Sequence, residues 1–470
     1  MGRRKETSPA TVVCLVTRQQ RQILVIAILA SFVAFLDGSV TNVALPAMVA
    51  ELGGGLGTQQ WIVDAYLITL GSLILLAGSL SDVFGRISVL RFGLIGFGIT
   101  SVAIALSPTP EFVIVARALQ GVAGALLVPS SLALIISAFR DAAQAKAIGI
   151  WTAWTGAAFL AGPFLGGLAA DYVTWRLVFG INVIPILVTL WMLTRLDKSV
   201  DSKSGGRIDV LGAVLGFLGL GGPVFALIEQ GNYGWGSPVV FLPLVLGLLS
   251  FAGFLFWQAR APQPMLPLGL FRIRNFWAGN IATVFIYGAL SLGGFVLAIY
   301  LQQVAGFTAT FAALATLPTS IANVALSSWF GSLSGRFGPR LFMTLGPILA
   351  GVGTLMYSGL GSEVNYWTQV LPGVVVFSLG LSMTVAPLTS AILGSVPTTQ
   401  SGIGSATNNA ISRVAGLVSI AMIGVIAGGT IDVGSFQPLM FVTAGLLFAG
   451  ALSSWLGVRN PAPEAVAAAS

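Results

Sequence analysis

The stretch Gly78-Ser79-Leu80-Ser81-Asp82-Val83-Phe84-Gly85-Arg86 recurs as Gly331-Ser332-Leu333-Ser334-Gly335-Arg336-Phe337-Gly338-Pro339, identical at six of nine positions and flanked each time by long apolar runs. A loop repeated in this setting marks a duplicated membrane domain. Two similar halves facing one another across a bilayer can enclose a site and open it first to one side, then to the other. That is the mechanical outline of a transporter.

Of 470 residues, 56% are hydrophobic and 8% charged, against roughly 25% charged in soluble domains, which is too few to cover a water-facing surface. The surrounding medium is therefore lipid. Fourteen spans of ~20 residues would use roughly 280 residues, and the remainder makes short loops and two tails with no room for a soluble catalytic domain. The one cysteine, Cys14, lies in the amino-terminal tail, so no internal disulfide forms. Histidine is absent, which removes the side chain that titrates nearest neutrality and leaves proton chemistry to carboxylates. The sequence has no metal-ligating cluster, nucleophile constellation or phosphate-cradling glycine loop with lysine. It reads as a non-enzyme without cofactor, with protons as the coupling ion. Arg3, Arg4 and Lys5, followed by a short apolar patch and then Arg18 and Arg21, read as a cytoplasmic tail rather than a signal peptide.

Apolar stretches bounded by charge, Gly or Pro place helices near 22–45, 60–81, 88–107, 111–136, 144–168, 176–195, 208–229, 239–258, 275–301, 308–331, 340–359, 368–393, 402–427 and 436–457. With a cytoplasmic N-terminus, the inner side carries nineteen of the twenty-two Lys and Arg; Arg176 falls at an outer helix end, and Arg117 and Arg413 fall inside helices. The outer loops hold Glu51, Glu111, Asp171, Glu363 and Asp432. By the positive-inside rule both termini are cytoplasmic and the chain is multi-pass in the cell's inner (plasma) membrane. The net charge of +7 is thus a topology signal and does not imply nucleic-acid binding. Eight helices instead of six run from one repeated loop to the other, so a pair has been inserted. The expected organisation is a tail at 1–21, a six-helix bundle at 22–196, a linker with the inserted pair at 197–262, a second six-helix bundle at 263–458 and a tail at 459–470.

Signatures accumulate in order along the chain. Leu36-Asp37-Gly38-Ser39-Val40-Thr41-Asn42-Val43-Ala44-Leu45-Pro46 ends the first helix; Trp61, Asp64 and Tyr66 open the second; Gly78 to Arg86 joins the second and third. Arg117, Gln120, Gly121 and Gly124 lie in the fourth helix, and Gly149, Gly162, Pro163, Gly166 and Gly167 in the fifth, with Ala158 where a glycine is usual. Trp175-Arg176 with Asn182 and Pro185, Gly234-Trp235-Gly236, and Tyr300-Leu301-Gln302-Gln303 follow. Together they resemble the major facilitator superfamily, specifically its fourteen-helix drug:proton antiporter branch. The resemblance implies an all-α polytopic membrane protein of the major facilitator fold, two six-helix bundles plus two inserted central helices.

Asp37 lies deep in an apolar helix, where desolvation disfavours the charged form; a site wetted alternately from each side could load and release a proton there, and Asp37 is read as the principal proton carrier. The alternative is a permanently salt-bridged structural Asp. Arg117, at similar depth, costs ~2.5 to 3.5 kcal/mol on insertion scales unless paired, and pairing with Asp37 would relieve both. By resemblance Arg117 tunes the proton site; a structural hydrogen-bonding role to the first helix remains open. Asp64, near the outer mouth of the second helix, is a substrate-attracting acid, a second proton site or a solvated cap. Arg413 is expected as a buried partner of polar groups such as Asn408 or Asn409.

Asp82 and Arg86, spaced i to i+4, can pair as a latch that favours one facing state, with Gly78 and Gly85 permitting close helix approach and a tight turn; a folding element is the alternative. Gly162 and Gly166 share one face with Pro163 beside them, which suits close packing and a bend. By resemblance this antiport motif limits proton leak. Trp61, Tyr66, Gln120, Trp151, Trp154, Phe159 and Tyr300 could line an apolar-aromatic cavity attractive to cations. The reading is a proton-coupled exporter of hydrophobic drugs or secondary metabolites, cationic ones among them, working by alternating access as a monomer, with a small hydrophobic or cationic substrate, protons and lipid bilayer as partners. Its competitors are a dedicated exporter or importer of one metabolite, nutrient or lipid, and a non-transporting receptor or scaffold.

Overall fold

A computed structural model describes residues 17–196, 208–397 and 400–460. The expected tails up to residue 16 and from residue 461, and the charged linker from Lys198 to Arg207, lie outside them. Lipid offers no partner to backbone N–H and C=O groups, so segments this apolar satisfy them internally as helices. The elements are α1 (Arg18–Leu52), α2 (Leu56–Phe84), α3 (Arg86–Ala105), α4 (Pro110–Ala138), α5 (Asp141–Tyr172), α6 (Leu177–Gly180), α7 (Val183–Leu193), α8 (Val210–Tyr233) and α9 (Pro238–Gln258), then α10 (Arg274–Gln303), α11 (Ala309–Phe337), α12 (Pro339–Met356), α13 (Leu371–Leu393), α14 (Ser401–Ala421), α15 (Ile423–Ala427) and α16 (Val433–Gly457). Thirteen helical segments among the described residues are long and apolar enough to cross a membrane. The protein is therefore an all-α, multi-pass membrane protein.

Several elements differ from expectation: α2 and α11 run longer, the expected helix at 402–427 is split into α14 and α15, and two further differences bear on the site. The first helix runs seven residues beyond the expected end, through Pro46 to Leu52, where Gly53 at φ +88° caps it. Asp37 consequently sits near the middle of the helix. The sixth span is split into α6 and α7, together Leu177–Leu193 and short for a crossing. Its cause is Pro185, which has no N–H to offer the carbonyl of Ile181 four residues earlier; Ile181 and Asn182 keep helical angles, so the rod continues past the loosened turn.

Both copies of the repeated loop fold alike. Gly85 at φ +97° ends α2 and begins α3, and Gly338 at φ +84° does the same between α11 and α12. That left-handed backbone is open to glycine without strain, so one turn serves both junctions.

Within the first half α1 packs on α4 and α5, and α4 packs also on α2 and α3. In the second, α10 packs on α14 and α16, α12 on α13 and α16, and α11 on α13. α8 and α9 pack chiefly on each other, with α8 also reaching α2, α14 and α15. The halves meet along two seams, α5 against α11 and α2 against α14. One apolar cluster crosses between them, with Val40, Ala44 and Met48 on one side and Leu292, Phe295 and Val296 on the other.

Candidate functional site

Asp37 is fully buried, and both its oxygens are occupied. Oδ2 accepts from Arg117 Nη1 at 2.5 Å; Oδ1 accepts from Gln120 Nε2 at 3.1 Å and from Asn182 Nδ2 at 2.9 Å. Arg117 also donates to Gln120 Oε1 at 2.6 Å and, through Nε, to the Ile62 carbonyl at 3.1 Å. Its guanidinium lies 4.2 Å from the centre of the Tyr66 ring, and Gln120 continues to Ser101 Oγ at 2.9 Å. An ion pair taken out of water holds only if its remaining hydrogen-bonding capacity is met, and here α1, α2, α3, α4 and the α6–α7 junction all contribute. Gly121 makes this possible: a Cβ there would collide with the Tyr66 carbonyl, so α4 and α2 approach backbone to backbone.

Asp64 presents the opposite case. It is equally buried, which removes the solvated-cap reading, yet among the described residues neither carboxyl oxygen has a hydrogen-bond partner. Along α2 it lies four residues from Gln60, which bonds to α14, and seven from Gly71, which faces Arg413. It thus sits on the face of α2 that meets the second half. Arg413 does not pair with Asn408 or Asn409 as expected. Asn408 donates to Asn280 and Thr283, while Arg413 lies 5.7 Å from the Phe35 ring centre.

The expected Asp82–Arg86 ion pair is present, with the two groups 3.7 Å apart and Asp82 half exposed. Gly85 supplies the tight turn, but Gly78 has nothing within 4 Å of a would-be Cβ, so the close approach expected there is not used in this conformation. The fifth-helix glycines are in contact. A Cβ on Gly162 would collide with Ser39 Oγ, and one on Gly166 would fall 2.9 Å from the Val40 carbonyl, both on α1. Gly167 faces the other way, 2.8 Å from the Ala309 carbonyl of α11 by the same measure.

Of the expected cavity residues, Tyr66 and Gln120 belong to the Asp37 network instead. Trp61 turns to α8, donating to Glu229 Oε1 at 2.7 Å and packing on Phe225. Tyr300 is buried in the second half, donating to the Leu360 and Gly361 carbonyls and stacked on Phe436. Trp151 donates to Ser31 at 3.0 Å, Trp154 is exposed, and the side chain of Phe159 lies outside the described ones. A cavity of about 400 Å³, lined by Leu36, Val40, Leu165, Leu168, Val178 and Ile181 among other apolar residues, abuts the network through Leu36. Sequence reasoning did not assign Asn182 or Ser101 to the site; an amide and a hydroxyl inside otherwise apolar spans were the available signal. Among the described residues, no three His, Cys, Asp or Glu side chains gather as a metal-ligating group.

The family model of the Major Facilitator Superfamily matches residues 27–420. The chain is 31% identical over 407 residues to the methylenomycin A resistance protein of Bacillus subtilis, covering 86% of this chain and 87% of that protein. It is 32% identical over 416 residues to the multidrug resistance protein Stp of Mycobacterium tuberculosis, covering 87% and 76%. Among solved structures, a peptide transporter POT in complex with sulfate superposes with a TM-score of 0.69 at 16% identity, over 93% of this chain and 94% of that one; this is a likeness of fold. With the buried ion pair, the duplicated loop and the helix count already in place, these matches establish that the chain is a member of the major facilitator superfamily, among its multidrug- and antibiotic-resistance relatives, and a secondary transporter of small molecules rather than an enzyme.

Proposed function

We propose that the protein is a proton-coupled exporter of hydrophobic, cationic small molecules, built as two six-helix bundles with α8 and α9 inserted between them and working by alternating access as a monomer in the inner membrane, termini in the cytoplasm. The observation that carries the reading is the contrast between two buried acids of one half. Asp37 is matched by Arg117, Gln120 and Asn182, whereas Asp64 has no partner for either oxygen among the described residues. An ionised, unpartnered carboxylate in a low-dielectric interior is costly, so Asp64 holds the proton in this arrangement and gives it up when the seam beside it opens to water or receives a cation. Asp37 and Arg117 then serve as the fixed pair that orders α1, α2 and α4 around that exchange. This reading moves the principal proton carrier from Asp37, where the sequence put it, to Asp64.

The energetics permit this. One proton crossing ~100 mV releases ~2.3 kcal/mol, and at ~1.4 kcal/mol per tenfold ratio it sustains roughly a fiftyfold cargo gradient. The test is transport of tetraphenylphosphonium into proteoliposomes under an imposed pH gradient. Wild-type protein should accumulate the cation and Asp64→Asn should lose the gradient dependence while still equilibrating it; accumulation by Asp64→Asn equal to wild type refutes the assignment. Relatives named for resistance to one antibiotic, methylenomycin A or puromycin, favour a second reading, a dedicated exporter of one metabolite. Competition among structurally unrelated cations separates the two.

A further inference from the structure

Asp171 lies one residue from the end of α5, at the arginine-poor side of the molecule. Its two oxygens accept from backbone amides of the other half: Oδ1 from Ala309 N at 3.0 Å and Oδ2 from Thr310 N at 2.7 Å. These amides open α11, and the first turn of a helix has no intrahelical acceptor for them. A carboxylate at that end is favoured by the helix dipole and by charge-assisted bonding. Gly167, four residues earlier on the same face of α5, is the position where a Cβ would collide with Thr310 and Ala309. The glycine sets the approach and the acid then reaches the helix end.

The second seam mirrors this with opposite polarity. Gln60 on α2 donates through Nε2 to the carbonyls of Ile420 at 2.6 Å and Ala421 at 3.1 Å. Both lie in the last turn of α14, where the break before α15 interrupts the helical ladder. An amide donor suits the negative end of a helix as a carboxylate suits the positive end. Both contacts lie at the arginine-poor side. Towards the other side, no side chain of α11 between Ala315 and Phe330 is fully buried, whereas Ala309, Ala312 and Ala313 are buried at the end that Asp171 caps.

We propose that Asp171 and Gln60 are the positioning residues that hold the arginine-poor side closed, each capping a helix end of the opposite half, and that both release when the site opens to that side. The inference rests on the alternating-access reading above. It can be tested with full-length protein in nanodiscs, with Cys14→Ser and spin-label pairs at Glu111→Cys with Glu363→Cys on the arginine-poor side and at Lys146→Cys with Ser332→Cys on the arginine-rich side. Asp171→Ala and Gln60→Leu should each raise the population of the long arginine-poor distance roughly fivefold, the usual consequence of losing one helix cap. The arginine-rich pair should shorten reciprocally, and Asp171→Asn, which keeps one acceptor, should fall between. Unchanged distributions in well-folded Asp171→Asn and Gln60→Leu overturn the proposal, as does a shift on one side without its reciprocal. If distances shift while wild type shows no proton coupling, the gate stands and the proton reading fails. If coupling is normal and the distances do not move, the gate fails and the proton reading stands.

Discussion

Asp37 and Asp64 differ in what each would lose on neutralisation. Asp37→Asn leaves the Arg117 guanidinium as an uncompensated buried charge, which costs ~3 to 5 kcal/mol, and Asp37→Asn combined with Arg117→Gln should recover much of that. Asp64→Asn removes no hydrogen bond and should change stability by less than ~1 kcal/mol. The thermal midpoints of detergent-solubilised variants measure both, and equal destabilisation by the two single changes would contradict the division of roles. The Asp37–Arg117 pair was legible in the sequence because two charges at equal depth in apolar helices demand one another. That Asn182 completes the pair, and that Asp64 has no partner, depends on which helix faces which, and no spacing within one helix carries that information.

At the scale of elements, the spans were legible wherever apolar length alone decided them. The end of α1 was not, because Pro46 reads as a terminator, although a lipid-embedded helix can continue through a proline. The fifth-helix glycines make close approaches on two sides, Gly162 and Gly166 against α1 and Gly167 against α11. Gly166→Val should force α5 off α1 and cost ~1 to 3 kcal/mol; a denaturation midpoint within error of wild type would show that the seam is not under that constraint. Outside the membrane, the Asp432 carboxyl at the start of α16 is held below its ordinary range by hydrogen bonds from the Ser435 backbone and hydroxyl. A carboxylate lowered on folding stabilises above its unfolded value of ~3.9 and is lost as pH falls below it. Amide exchange at Ser435 should therefore stay protected at pH 5 and rise only below pH ~4, whereas loss of protection at pH 5 would mean the cap does not form.

For the whole molecule, the duplicated loop was legible as one turn used twice, since a positive-φ glycine ends a helix in each copy, at Gly85 and at Gly338. The cross-half contacts were not legible: Gln60 and Asp171 look like ordinary polar residues near helix ends until the opposite helix termini are brought to them. The polar contacts of the aromatic residues were not legible for a related reason: Trp61 and Tyr300 use their polar atoms to fix groups brought to them by the fold, Glu229 and the Leu360 carbonyl. The central claim is that cargo and proton compete through Asp64 between the halves. Its most direct measurement is proton release from purified, weakly buffered protein as tetraphenylphosphonium is added. Wild type should acidify the solution in proportion to cargo bound, and Asp64→Asn should bind cargo without acidification. Binding by wild type with no proton released, or undiminished release from Asp64→Asn, would contradict it.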